Sequence, residues 1–191
     1  VGAANVTIDY ITIPSSAEFA WGGNAFTMEL YVNPAAASLS GTHTLVDMRA
    51  SAANEVASRL YLEAGQIRYN VNNSDLVTSG ATTLNNNQWY HIAVQRSSTT
   101  TKIYLNGTEV GTGTDSTTYV AKPVRIGADY AAANAFIGHI DEFRLSDNVR
   151  YSTAPFTPRN GIFQGDTNAK LLIHFEGDDA QTFTEDSVSY T

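Results

Sequence analysis

The chain has 191 residues, of which 42% are hydrophobic and 16% charged, and its formal net charge is −8 at pH 7. An acidic chain without a cluster of basic residues repels a phosphate backbone, which excludes nucleic acid as an expected partner. The absence of cysteine excludes disulfides and thiolate metal sites, and because no run reaches the roughly 18 apolar residues of a membrane span, no membrane insertion is expected.

Short segments in which apolar and polar residues alternate recur along the chain, and helical periodicity is nowhere sustained. This pattern predicts consecutive strands packed as a β-sandwich. The first segment covers residues 6–13. The clearest covers residues 26–32, with its apolar side chains at even positions, and Pro34 ends it because proline cannot donate to a strand ladder.

Two hairpins are predicted in the middle of the chain. The first spans residues 60–71 and turns at Ala64-Gly65. The second turns at Asn106-Gly107, the residue pair that best adopts the positive φ angles of a type I′ turn. Residues 89–96 alternate again between the two hairpins and predict a further strand.

The last third of the chain contains three more predicted strands, over residues 124–126, 137–145 and 171–175. Between the second and the third lies a proline-punctuated stretch over residues 151–158. Proline removes a backbone donor, so this stretch is predicted to be an extended edge or a linker.

Six segments, in this order, resemble a known family: residues 10–16 (YITIPSS), 26–30 (FTMEL), 88–94 (QWYHIAV), 103–107 (IYLNG), 126–130 (IGADY) and 138–145 (GHIDEFRL). Together they resemble the laminin G-like, or concanavalin A-like lectin/glucanase, superfamily, in the version found in tail, fibre and other virion surface proteins of bacteriophages. The resemblance implies an all-β, two-sheet antiparallel jelly-roll sandwich, with residues 1–191 forming a single domain. Members are mostly carbohydrate- or protein-binding modules, often with calcium, and a minority are glycoside hydrolases.

The chain departs from the phage version of this family in one respect. A segment similar to residues 170–177 (KLLIHFEG) usually opens the domain, whereas here it closes the chain. We expect residues 166–191 to supply a terminal strand to their own sheet, as a circular rearrangement would. Donation of this strand to a neighbouring subunit and excision from a tandem array are the alternatives.

Catalysis is not expected. A glycoside hydrolase needs two carboxyl groups facing each other across the scissile bond, and the Glu-x-Asp-x-Glu strand of the family's glucanases is missing. The nearest pair, Asp141-Glu142, is adjacent in sequence, so its side chains should point to opposite faces of a regular strand. The four histidines accompany no serine elbow and are expected to be structural: His43, His91, His139 and His174.

Asp141 is a candidate calcium ligand. Its position predicts that it shares the buried face of Phe143 and Leu145, where a carboxylate is costly unless it is paired. One interpretation is a calcium ion held by Asp141 and by acidic residues of the C-terminal segment, namely Glu176, Asp178 and Asp179. The other is that Asp141 accepts backbone N–H bonds at a strand end and that the acidic run is solvated.

Five residues are candidates for sugar binding: Trp21, Asn24, Asp129, Tyr130 and Asn134. An aromatic ring beside amide and carboxylate groups suits the apolar face and hydroxyl rim of a pyranose. Both aromatic residues could instead cover the core, and Asp129, also a calcium candidate, could instead form a plain turn.

The sequence therefore predicts a non-catalytic module that recognises or attaches to a glycan or surface polysaccharide. Its expected setting is a virion or extracellular structural protein, located on the virion surface or outside the cell. The alternative is a self-assembling subunit, a capsid decoration or filament, that contacts its own copies or other virion proteins through the C-terminal strand. A glycoside hydrolase is the least favoured interpretation.

Overall fold

The computed structural model describes residues 9–53, 56–81 and 84–175, together with the backbone of Val188–Ser189. Two antiparallel β-sheets face each other, which confirms the predicted all-β sandwich. Helix in these residues is limited to two short 3-10 turns, Ala17–Phe19 and Ala36–Leu39. None of the helical turns in the described part could span a membrane.

The strands in chain order are β1 (Ile11–Ile13), β2 (Phe26–Pro34), β3 (Thr42–Asp47), β4 (Ser58–Glu63), β5 (Gln66–Val71), β6 (Ser74–Thr78), β7 (Tyr90–Ser97), β8 (Thr100–Leu105), β9 (Thr108–Thr114), β10 (Val124–Ile126), β11 (Gly138–Ser146), β12 (Ala169–Ile173) and β13 (Val188–Ser189). One sheet has six strands in the order β1-β10-β3-β4-β5-β6. The other has seven, in the order β13-β12-β11-β2-β7-β8-β9.

Both predicted hairpins are confirmed. β4 pairs with β5 across a turn in which Ala64 has φ 49° and Gly65 has φ 78°. β8 pairs with β9 across Asn106 (φ 49°) and Gly107 (φ 81°). These positive angles are the ones that a two-residue turn needs to match the twist of its strands, and an Asn-Gly pair adopts them with little strain.

The core lies between the sheets and follows the alternation of the strands. On β2 the even residues 26–32 face inwards and are almost completely buried. The odd residues 27, 29 and 31 therefore lie on the outer face of the seven-stranded sheet.

A β-bulge interrupts the pairing of β11 with β2. Asp141 opposes Tyr31, but the next paired residue, Arg144, opposes Glu29. Two residues of β11 thus face a single position of β2, and the first of them, Glu142, has φ 52°. A bulge of this kind changes which side chains share a face.

This bulge overturns the predicted placement of Asp141. Asp141 lies beside Tyr31 on the outer face, whereas Phe143 and Leu145 point into the core. The expectation that Asp141 and Glu142 diverge is also wrong, since both side chains line one cleft. The bulged backbone breaks the strict alternation on which both predictions depended.

Residues 147–164, here named the cover segment, cross the outer face of the seven-stranded sheet. Tyr151 donates its backbone N–H to Gln95 Oε1 at 2.8 Å, and Gln95 Nε2 donates to the Tyr151 carbonyl at 2.9 Å. Further along, Phe156 N donates to Gly107 O at 3.0 Å. The proline-punctuated stretch forms no strand and bends over residues 152–155. It covers the face of a sheet instead of forming the predicted extended edge.

β12 pairs antiparallel with β11 of the same chain, with Phe143 opposite Ile173 and Leu145 opposite Leu171. The backbone of β13 pairs in turn with β12. The rest of the acidic C-terminal segment, residues 176–187, lies outside the described residues. Donation of the terminal strand to a neighbouring subunit stays a prediction.

At one flank the two sheets meet through their edge strands, β6 and β9. A Cβ atom on Gly111 would lie 2.8 Å from Thr78 O, and one on Gly113 would lie 2.4 Å from Leu76 O. Only glycine fits so close to the neighbouring backbone. The sandwich is therefore closed on this side by direct contact of its edges.

Candidate functional site

A cleft of about 330 Å³ opens on the outer face of the seven-stranded sheet, beside the cover segment. The sheet and the residue before β7 supply part of its lining: Tyr31, Trp89, Asp141 and Glu142. The cover segment supplies the opposite wall: Asn160, Gly161 and Ile162. The volume falls within the range of small-ligand sites, about 300–1,000 Å³.

Large apolar side chains in this cleft remain open to solvent. Trp89 is 49% exposed and Ile162 is 48% exposed. The Trp89 ring centroid lies 6.4 Å from that of His139. The hydroxyl of Tyr31 donates to Arg159 O at 2.5 Å, which ties the sheet to the cover segment. An indole and an aliphatic side chain exposed in one concavity offer an apolar surface to a ligand.

The two carboxylates of the cleft have different roles. Glu142 is nearly buried, accepts a hydrogen bond from Phe163 N at 2.5 Å, and lies 2.9 Å from His174 Nδ1. Asp141 is partly exposed, and its Oδ1 accepts the N–H of Glu142 at 2.8 Å. In the described part of the chain no donor reaches Asp141 Oδ2. Glu142 is thus committed to the fold, whereas Asp141 can accept a hydrogen bond from a ligand.

A buried charged network connects the sheet to the cover segment. Glu29, whose side chain is fully buried, accepts hydrogen bonds from Arg144 Nε at 2.9 Å and Nη2 at 2.6 Å. His91 Nε2 lies 3.0 Å from Glu29 Oε2, and the hydroxyl of Tyr151 in the cover segment also donates to this oxygen. Charge-assisted hydrogen bonds of this kind are the strong ones.

This network keeps Glu29 ionised. Burial pushes its pKa upwards, but the hydrogen bond with His91 and the positive charge of Arg144 outweigh burial and lower the pKa below its ordinary value of 4.5. The pKa of Tyr31 is raised by burial and by the nearby carboxylates of Glu29 and Glu142. Tyr31, which lines the cleft, therefore lies close to two carboxylates.

Trp21 and Asn24, predicted to bind sugar, do not lie in this cleft. Trp21 is only 3% exposed, and its ring stacks on Phe26 with centroids 4.8 Å apart. It therefore belongs to the core, and its ring is not accessible to a sugar. Asn24 is exposed in the adjoining turn, where its N–H donates to Trp21 O at 2.9 Å.

Asp129, Tyr130 and Asn134 lie together in the loop after β10, but Asp129 serves to close that loop. Its carboxylate is buried and accepts hydrogen bonds from Ala131 N at 3.0 Å, Ala133 N at 2.9 Å and Asn134 Nδ2 at 2.7 Å. Burial raises the pKa of Asp129, and these hydrogen bonds outweigh it and lower the pKa. The geometry is that of the plain turn, which was the alternative interpretation.

Only one of the four proposed calcium ligands lies among the described residues. Asp141 is described, but Glu176, Asp178 and Asp179 lie outside the described residues. Among the residues that the structure describes, no group of three or more histidine, aspartate or glutamate side chains is placed to hold a metal ion. Calcium at Asp141 stays a prediction.

Of the seven residues that line the cleft, only Asp141 was a predicted site residue; the other six are Tyr31, Trp89, Glu142, Asn160, Gly161 and Ile162. Tyr31 lies on the otherwise polar face of β2, and Trp89 shares the parity of outward-facing His91. An aromatic residue on a polar face was therefore a usable signal for both. Asn160 and Ile162 carried none, because their position depends on the path of the cover segment.

Comparison with known proteins identifies the family. The family model of the concanavalin A-like lectin/glucanases superfamily matches residues 5–153. The chain belongs to this superfamily. The matched region includes the sheet side of the cleft, whereas residues 160–162 of the opposite wall follow it. No curated protein matches the chain significantly.

Solved structures of the superfamily's fold resemble this chain at low sequence identity. A Bacteroides ovatus protein, provisionally assigned as carbohydrate-binding, has a TM-score of 0.68 at 15% identity, over 92% of this chain and 52% of that one. Domain 4 of an extracellular arabinanase from Geobacillus stearothermophilus, solved with arabinotriose, has a TM-score of 0.55 at 20% identity, over 73% and 66%. The CBM40 module of a Ruminococcus gnavus sialidase, solved with α2,3 sialyllactose, has a TM-score of 0.57 at 13% identity, over 75% and 92%.

The chain spans about half the length of the first of these proteins. At such identities the likeness establishes the fold and does not transfer a ligand.

Proposed function

We propose that this chain is a non-catalytic glycan-binding module and that the cleft beside the cover segment is its sugar site. The observation that carries the proposal is the placement of half-exposed Trp89 in a concave site that also holds Asp141 and Asn160. This combination is the one that a pyranose requires, since its ring face is apolar and its rim carries hydroxyl groups.

Each side of the cleft has a part in this interaction. The indole of Trp89 and the side chain of Ile162 contact the apolar face of the sugar. Asp141 Oδ2 and the amide of Asn160 bind its hydroxyl groups. Tyr31 is held by its bond to Arg159 O, so this part of the site is formed before the ligand arrives, which lowers the entropic cost of binding.

The similar structures support this proposal at the level of class. The Geobacillus and Ruminococcus modules were solved with oligosaccharides bound, and the Bacteroides protein is provisionally assigned as carbohydrate-binding. Their ligands include a neutral and an acidic sugar, so the fold itself does not select one kind.

The state of the carboxylates supports binding without hydrolysis. Glycoside hydrolysis needs two carboxyl groups on opposite sides of the scissile bond, about 5 Å or more apart and free to act. Here Glu142 is held by Phe163 N and His174, and it is adjacent to Asp141 in sequence. We therefore propose recognition as the task of the site.

A glycan array probed with the wild-type chain and the Trp89→Ala variant tests the proposal. Wild type is expected to bind a defined group of glycans, and the variant to lose that binding. Tyr10→Ala is the matched control, because Tyr10 is an aromatic residue with 43% exposure beside the other sheet. A flat array with wild type, or equal binding by wild type and Trp89→Ala, contradicts the proposal. Repeating the assay with a chelator tests the calcium prediction.

We further propose a virion-surface or extracellular setting, in which the module attaches its parent structure to glycans. This part of the proposal rests on the sequence resemblance to phage surface proteins.

A further inference from the structure

We infer that the cleft selects sugars that carry no acid group at the position it contacts, so that neutral and amino sugars bind and uronates, sialates and sulfated sugars are rejected. The inference rests on the proposed glycan-binding function and adds the class of ligand. It follows from the charges that face the cleft.

Carboxylates dominate the polar lining. Asp141 and Glu142 both line the cleft, and Glu29 lies two residues from Tyr31 along β2, on the same outer face of the sheet. The direction of the pKa shift of Tyr31 is consistent with this, since Glu29 and Glu142 both contribute to raising it.

Two of the nearby cationic or titratable side chains, Arg144 and His174, are paired with carboxylates of the protein. The guanidinium of Arg144 is paired with Glu29 and lies over the ring of Phe163, 4.5 Å from its centroid. His174 pairs with Glu142. Arg159 belongs to the same wall but is not among the residues lining the cleft. The described lining of the cleft thus contains no lysine, arginine or histidine that could form an ion pair with an acidic sugar.

The effect of these carboxylates on a ligand depends on whether the ligand donates a hydrogen bond to them or carries a negative charge. A sugar hydroxyl or ammonium group can donate to Asp141 Oδ2. A sugar carboxylate or sulfate has no proton to donate there and meets a like charge in a partly desolvated site, where electrostatic interactions are stronger than in bulk water. Repulsion of the wrong partner is one of the two ways in which a binding site gains specificity.

The experiment uses an array on which each neutral oligosaccharide, lactose among them, is printed beside its sialylated and sulfated forms, with amino-sugar oligomers included. Wild type is expected to bind neutral or amino-sugar members and to bind their acidic forms at least about tenfold more weakly. Asp141→Asn removes the charge while keeping the size of the side chain. It should reduce the ratio of neutral-form to acidic-form affinity to about threefold or less. High salt should reduce it in the same direction.

Asp75→Asn is the control, because it removes the same charge from the other sheet, where Asp75 pairs with Arg68. Its ratio should equal that of wild type. Acidic forms bound as tightly as neutral ones, with binding still abolished by Trp89→Ala, overturn the inference and leave the proposed function intact. A wild-type ratio that Asp141→Asn does not change also overturns it. An array on which wild type binds nothing overturns the proposed function and the inference together.

Discussion

Arg144 on β11 donates two hydrogen bonds to Glu29 on β2, at 2.9 and 2.6 Å, and water reaches almost none of either side chain. This pair lies on the outer face of the sheet, yet the cover segment buries it as deeply as the core. At this point hydrogen bonds from Tyr151 to Glu29 and from Arg144 to Gln164 O join the central strands to the cover segment.

Replacing Glu29 by glutamine should destabilise the chain by about 3–5 kcal/mol, because removal of one partner leaves the buried charge of Arg144 uncompensated. Denaturant unfolding monitored by tryptophan fluorescence measures the effect. Glu109→Gln is the control, since Glu109 pairs with Lys102 at the surface, where a pair contributes about 1 kcal/mol or less. Equal losses in the two variants would show that the buried pair has no special role.

Acid should weaken the fold through the same network. The pKa of Glu29 is lowered from 4.5, and the hydrogen bonds from Arg150 lower the pKa of Asp166 from 3.8 to about 2. Carboxyl groups with a lowered folded-state pKa stabilise the fold above their unfolded-state pKa, and this stabilisation is lost as the pH falls through the folded-state value. We expect constant stability from these groups between pH 7 and about 5 and a decline below that.

Asp166→Asn separates the contribution of the exposed pair. The variant should lose less than about 1 kcal/mol near neutral pH, because Asp166 is largely solvated, and its stability should fall less steeply than that of wild type between about pH 4 and 2. Melting temperatures measured across this range check the prediction. Parallel curves for variant and wild type would contradict it.

The two tryptophans should respond in opposite ways. Trp21→Ala removes a buried ring that stacks on Phe26 and should cost about 3–5 kcal/mol of stability. Trp89→Ala, at an exposed position, should change stability by no more than about 0.5 kcal/mol while abolishing glycan binding. Thermal unfolding and array binding of both variants measure the two effects. Loss of stability in Trp89→Ala would mean that this residue is structural.

Gly107→Ala tests the contact between the second hairpin and the cover segment. An added Cβ would lie 1.7 Å from Phe156 O, so the cover segment must move. Gly161→Ala is a matched control, because Gly161 also has positive φ (93°) but no atom within 4 Å of the added Cβ. The control should lose about 1–2 kcal/mol from backbone strain, and Gly107→Ala about 1–3 kcal/mol more from the steric clash. Similar losses of stability in the two variants would indicate that the cover segment can move away from the added Cβ atom at little energetic cost.

The sequence predicted the sandwich well because alternation is a local property. In residues 26–32 the alternation of apolar and polar side chains predicts which of them are buried, and the Asn106-Gly107 pair predicts the turn that it forms. Contacts between residues far apart in the chain are harder to predict from the sequence. Glu29 looked like an ordinary outward-facing residue, because the residues that bury it, Arg144 and Tyr151, lie more than a hundred positions away.

The candidate site was predicted least well, and the bulge at Glu142 explains much of the difference. One extra residue moved Asp141 from the expected core face to the outer face beside Tyr31. No feature of residues 138–146 marks where alternation breaks, since Glu142 adopts its positive φ without being glycine or asparagine. The wall formed by residues 160–162 depends on how a strandless segment crosses the sheet, which periodicity cannot specify.

The contact of Gly111 and Gly113 with β6 limits how copies of this chain could join. Because the edge strands of the two sheets touch, no further strand fits between them, and that flank cannot template the addition of another molecule. Among the described strands, a fibre assembled by strand exchange would have to grow from the opposite edges, β1 and β13. Larger residues at these two positions would separate β6 from β9 and expose the unpaired backbone groups of both edges. The two glycines therefore protect against aggregation as well as allowing the sheets to meet.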